Sequence, residues 1–200
     1  MKKIILLILI SITIFIVGTL NVKAANTPTP TFGHKIIWNI ESIYYYVSPG
    51  AEQYANYISD AAYNWVYTGL GYNKLYPNAR TSNIYYSAVD FYVYQTPPVS
   101  GALAQTKFFA RTNGTSGDSF RVYPDSSDWL YAEIEIYSDE FNEQGDYNRR
   151  GVISHEFGHA WGLAHNSTNP YSIMSQLGQN YRQVNTVQQV DQDAFNSIYR

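Results

Sequence analysis

The sequence predicts an α+β fold (mixed α/β), with β segments interleaved with three principal helices in one domain. Three observations carry that expectation. Leu130, Ala132, Ile134 and Ile136 alternate with Tyr131, Glu133, Glu135 and Tyr137, the period of a half-buried strand. Ala51, Tyr54, Ala55, Ile58, Ala61, Ala62, Trp65 and Val66 recur at helical spacing. About 175 residues remain once an N-terminal targeting segment is set aside, enough for one domain with a real core.

That targeting segment is residues 1–24, expected to be a signal peptide. Lys2 and Lys3 precede the apolar run Ile4 to Leu20, and Val22-Lys23-Ala24 offers a small-residue cleavage pattern. The run is slightly long for a signal core and slightly short for a membrane span, so an uncleaved anchor is the competing reading. Residues 25–34, opening ANTPTPTFG, are expected to form a flexible Pro/Thr leader. The domain proper is then 35–200.

From Lys35, KIIWNIESIYYYVS reads as a strand or bent strand pair ended by Ser48-Pro49-Gly50. The first helix follows, with Ser48 as cap and Pro49 in its first turn, and Gly69 and Gly71 stop it. Strands are expected at Asn83 to Tyr94, Gly101 to Phe109 and Leu130 to Tyr137, with a short one at Ser119 to Tyr123. The second helix covers Asn148 to Gly162. The third spans Thr186 to Tyr199 and opens on Thr186-Val187-Gln188-Gln189, a capping-box pattern.

Composition narrows the function. Removing Lys2, Lys3 and Lys23 with residues 1–24 leaves 10 basic against 16 acidic residues, a net charge of −6 that suits no nucleic acid. The absence of cysteine excludes disulfides, a thiol nucleophile and a thiolate metal site. Twenty tyrosines invite a glycan-binding reading, but runs such as IYYYV and NIYYSAVDFYVY place many of them on strands as half-buried residues.

Three of the four histidines fall within HEFGHAWGLAHN, residues 155–166. On a helix His159 lies about 40° round from His155 and one turn on, so both imidazoles project to one side, with Glu156 beside them. Ile153, Phe157, Ala160 and Trp161 take the other arc, giving a wet chemical face and a dry structural one. A continued helix would carry His165 out of reach. Gly162 can adopt the left-handed conformation that ends a helix and reverses the chain, returning His165 as a third ligand. Three protein ligands leave the fourth position of a zinc ion to water, and Glu156 is placed to move that water's proton. Coincidence would assemble these five residues on the order of once in a hundred thousand chains.

With HExxHxxGxxH complete at His155, Glu156, His159, Gly162 and His165, the chain resembles the metzincin clan of zinc endopeptidases, most closely the matrixins and their bacterial relatives. Tyr171-Ser172-Ile173-Met174 is placed for the methionine turn of that clan. The resemblance runs from Trp38 to Tyr199. It implies a metzincin-like zincin fold, with a twisted, mostly parallel sheet, and Gly101 to Phe109 as one antiparallel edge strand along which an extended peptide pairs.

The chain also departs from that pattern. His34 is the only histidine outside the motif, so a second, structural zinc site is not expected, and Gln176 stands where astacin-like relatives carry a tyrosine ligand. Asp118, Asp125 and Asp128 could form a calcium loop, though their spacing fits no EF-hand.

The expectation is therefore a secreted, monomeric zinc endopeptidase acting on protein or peptide, meeting the membrane only during export. His155, His159 and His165 hold zinc, and Glu156 is the general base and acid. The alternative is an inactive zinc-binding, glycan-binding or cell-wall-binding secreted protein.

Overall fold

A computed structural model describes residues 27–76, 78–113, 116–177 and 182–200. The expected signal peptide lies outside them. Six strands form one sheet: β1 (Ile43–Val47), β2 (Asn78–Thr81), β3 (Val89–Tyr94), β4 (Ala104–Asn113), β5 (Ser116–Val122) and β6 (Tyr131–Tyr137). Their order is β2-β1-β3-β6-β4-β5. The pairs β1–β2, β1–β3 and β3–β6 are parallel, and β4 runs antiparallel to both β6 and β5. The sheet is thus mostly parallel, as expected, and β4 is the strand that runs against it.

Alternation along the strands builds the core. Ile43, Val89, Phe91, Ala132, Ile134 and Ile136 are fully buried, and Val89↔Ala132, Phe91↔Ile134 and Val93↔Ile136 stand side by side in register. Tyr44, Tyr46, Tyr92 and Tyr131, the intervening residues, are half-buried on the other face. Against the inward face pack α1 (Ala55–Val66) and α3 (Asp146–Ala160). A short α2 (Ser138–Asn142) and a later α4 (Gln189–Ile198) are further helices among the described residues. Trp65, Trp129, Trp161 and Phe157 are fully buried at the centre, each ring contributing about 2–3 kcal/mol over exposure.

Several expectations are corrected. The first helix begins as a 3-10 turn, Pro49–Tyr54, and Ser48 makes no side-chain cap bond. The last helix starts three residues late, its capping box formed by Gln188 and Asp191. β2 and α2 were not expected at all. β4 is not the edge: β5 pairs with its second half, from Phe108 onward, leaving only Ala104 to Lys107 unpaired on that side among the described residues.

From residue 27 onward the leader is hydrogen-bonded to the chain that follows α3. Thr31 bridges Leu163 in antiparallel fashion, Phe32 N–H donates to the Gly162 carbonyl (3.0 Å), and Ala164 N–H donates to the Pro30 carbonyl (2.8 Å). The reversed chain after α3 presents backbone groups that need partners, and the leader supplies them. Thr29 is consequently buried, with its hydroxyl on Asp191 at 2.6 Å.

Candidate active site

The site is built on α3, which is buried on every side from Gly151 to Ala160. The expected wet face is absent: His155 and Glu156 are 6% exposed and His159 8%. Other parts of the fold cover it. Phe32 of the leader lies over His159, with ring centres 5.7 Å apart, β4 packs alongside, and Met174 sits underneath. Gly158 makes that last contact available, because a Cβ there would collide with Met174 Sδ and come within 3.1 Å of the Trp65 ring. Two indoles tie the helix down: Trp65 Nε1 donates to the Ser154 carbonyl (2.9 Å) and Trp129 Nε1 to that of Ala160 (3.1 Å).

α3 ends as the glycine predicts. Gly162 has φ +101°, Gly162 N–H donates to the His159 carbonyl (2.9 Å), and Leu163 N–H reaches back to that of Gly158 (3.0 Å). These two bonds around a left-handed residue form the Schellman arrangement, which turns the chain back on itself. His165 thereby returns to the helix it left.

The structure brings His155, His159 and His165 together, with one ligand atom of each within 4.8 Å of the others, a group that can hold a metal ion. His155 Nδ1 lies 2.8 Å from the Ile173 carbonyl, and His159 Nδ1 lies 2.8 Å from that of Leu163. A carbonyl only accepts, so in both rings Nδ1 carries the proton and Nε2 keeps its lone pair. His159 Nε2 stands 3.1 Å from His165 Nε2. Burial depresses proton affinity throughout: His155 falls well below the ordinary histidine range, and His159 and His165 fall to about 4. Three neutral imidazoles converging from a helix and a loop suit a divalent cation such as zinc.

Beneath them, the turn at Tyr171 to Met174 is held by one buried carboxylate. Asp191 accepts from Thr29 Oγ1 (2.6 Å), Ser172 Oγ (2.5 Å), Ile173 N–H (2.9 Å) and Gln188 N–H (3.0 Å). The leader, the methionine turn and α4 meet at this side chain. Asn166 N–H donates to the Met174 carbonyl (2.9 Å), tying the loop of His165 to the same turn.

Glu156 opens onto a cleft of about 440 Å3 shared with the three histidines and with Leu103, Ala104, Thr106, Val152, Leu177 and Arg182. Thr106 Oγ1 donates to Glu156 Oε2 at 2.7 Å and stands 3.1 Å from its carbonyl oxygen. Burial raises the Glu156 carboxyl above its usual range, and the Thr106 hydroxyl counters part of that rise. Thr106, Asp191 and Arg182 were not anticipated. The alternation of Thr106 with Ala104 and Phe108 in GALAQTKFF assigns it a face of β4 but not its partner.

Asp128 accepts from Lys35 N–H (2.9 Å) and lies 3.3 Å from His34 Nδ1. Among the described residues the metal-capable group is the histidine trio, without Asp118, Asp125 or Asp128. His34 stays with Asp128, away from that trio.

A mostly parallel sheet backed by a buried helix, with three imidazoles and a carboxylate sharing one cleft, defines a candidate metallopeptidase. The chain belongs to the matrixin family of peptidases: the family model for matrixin (peptidase M10) matches residues 47–200. At family level it is a zinc metallopeptidase. No curated protein matches it in sequence. One solved structure it resembles is titled "GM1 bound form of the ECX AB5 holotoxin", at 17% identity over 86% of this chain and 91% of that one, with a TM-score of 0.49.

Proposed function

We propose that this chain is a secreted endopeptidase of metzincin type, in which His155, His159 and His165 hold a catalytic zinc ion and Glu156 moves the protons. The observation that carries this reading is the placement of Glu156: a buried carboxylate beside three imidazoles whose free nitrogens converge, in a cleft along the unpaired half of β4. When bound, zinc lowers the pKa of a water to roughly 7 and polarises a carbonyl. Glu156 takes the water's proton on Oε1 and returns it to the leaving amine, while Thr106 steadies Oε2. Ala104 to Lys107 align the peptide by adding it as a further strand, and Phe32 and the α3 covering exclude bulk water.

Secretion is supported by Lys2 and Lys3 and the apolar run after them. Among the described residues no helix is long and apolar enough to cross a membrane.

The test is cleavage of a generic unfolded protein by the purified chain. Activity should vanish with a chelator and return with zinc. Glu156→Gln should abolish turnover while the bound zinc, measured by elemental analysis, stays at one ion per chain. Persistent cleavage by Glu156→Gln would end the proposal.

A further inference from the structure

Arg182 is the one Lys or Arg among the described residues that line the cleft. Its residue is 6% exposed, and Nε and Nη2 are buried with no hydrogen-bond partner among the described residues. No carboxylate of the described residues comes within ion-pair distance of it. The nearest acid in the cleft, Glu156, is already engaged by Thr106. The guanidinium also has its place reserved. A Cβ at Gly151, on α3, would collide with Nη2 and approach Cζ to 3.0 Å, with the Asn185 Cα at 3.2 Å.

Burying a guanidinium with unmet donors is costly unless something supplies acceptors, and burial alone draws its pKa down to about 10. Its rigid fork of N–H groups matches the two oxygens of a carboxylate. Val152, Leu103 and Leu177 share the cavity and offer apolar walls for the methylenes that would carry such a carboxylate.

Resting on the peptidase reading of this cleft, we propose that Arg182 selects substrates carrying a carboxylate next to the scissile bond, with that carboxylate held by the guanidinium where it lines the cleft beside His155. The carboxylate is an aspartate or glutamate side chain, or the free C-terminus of a peptide cut close to its end. Glu156 acts on the bond itself, whereas Arg182 sets which residue stands beside it.

The full chain, loaded with zinc, is given a proteome-derived peptide library, and the cut bonds are mapped. Asp and Glu should be enriched at one fixed position flanking the bond. Quenched peptides with Glu or Gln at that position, each with a free or amidated C-terminus, then give kcat/KM. Glu should exceed Gln by about 10- to 100-fold, the range of a hydrogen bond to a charged group. If only the free C-terminus confers the advantage, the carboxylate comes from the chain end. Arg182→Met should bring the Glu/Gln ratio to about 1 by slowing the Glu peptide alone. Arg182→Lys, which keeps charge but not the fork, should give an intermediate ratio and stands in if Arg182→Met does not fold.

A wild-type ratio near 1 with both termini overturns the inference while leaving the peptidase intact. If no peptide is cut, the peptidase reading fails, and anisotropy binding of the same peptides decides the inference. Tighter binding of the carboxylate-bearing peptide, lost in Arg182→Met, upholds carboxylate recognition, and equal binding refutes it.

Discussion

Thr106 on β4 donates its hydroxyl to Glu156 Oε2 on α3 across 2.7 Å, joining residues fifty positions apart in the chain. This bond favours the ionised carboxylate, the form that accepts a proton.

Thr106→Val keeps the shape and removes the donor. Catalytic efficiency should fall about 10- to 100-fold with zinc content unchanged. Without the hydroxyl the Glu156 pKa rises, so the acidic limb of the pH–rate profile should move to higher pH. A profile that stays in place would show that Thr106 serves packing only.

Gly158 and Met174 form a fitted pair. Gly158→Ala drives a methyl into Met174 Sδ and should cost about 1–3 kcal/mol, lowering the melting temperature by roughly 3–9 °C. Met174→Ala in the same chain removes the collision. The double variant should therefore lose less than the two single losses added together, as read by thermal unfolding.

His159 makes the metal-free protein acid-sensitive. Its folded pKa is about 4, against an ordinary 6.5. Between those values the unfolded chain binds the proton and the fold does not, so stability falls as pH drops from 6.5 to 4. The loss is about 3 kcal/mol from this residue. If zinc takes the same nitrogens, as proposed, the stability gap between zinc-loaded and chelator-treated protein should narrow only as protons displace the ion. Melting curves of both forms at pH 4–7 check this.

Asp90 pulls the opposite way. Burial raises its carboxyl from 3.8 to about 7, despite the Ser87 hydroxyl on Oδ1. The fold holds that proton over a range in which the unfolded chain has released it, so stability falls as pH climbs from about 4 to 7. Asp90→Asn removes this slope. It should stabilise the protein by about 2–4 kcal/mol at pH 8 and by little at pH 4, measured by urea unfolding. A gain that is the same at both pH values would assign the effect to packing.

What could be read in advance was whatever depends on neighbours along the chain. The gathering of His155, Glu156 and His159 follows from helical pitch, and the return of His165 follows from one left-handed glycine. The inward set of Ile134 and Phe91 follows from alternation. Thr106, Asp191 and Arg182 escaped because their roles are created by segments that meet only in the folded state. Asp191, near the start of the last helix, accepts from Thr29, 162 positions away. The mistaken edge at β4 has the same origin. β5, SGDSFRV, is largely polar, so the alternation that marks a buried strand does not reveal its pairing with β4.

The two indole bonds onto α3, joined by Tyr199 Oη on the Trp161 carbonyl at 3.0 Å, place the ends of the sheet, of α1 and of the chain itself on one helix. The part of that helix buried from Gly151 to Ala160 opens only by breaking these bonds. Its amides should accordingly exchange with deuterium only through whole-molecule unfolding, slower than any others in the protein.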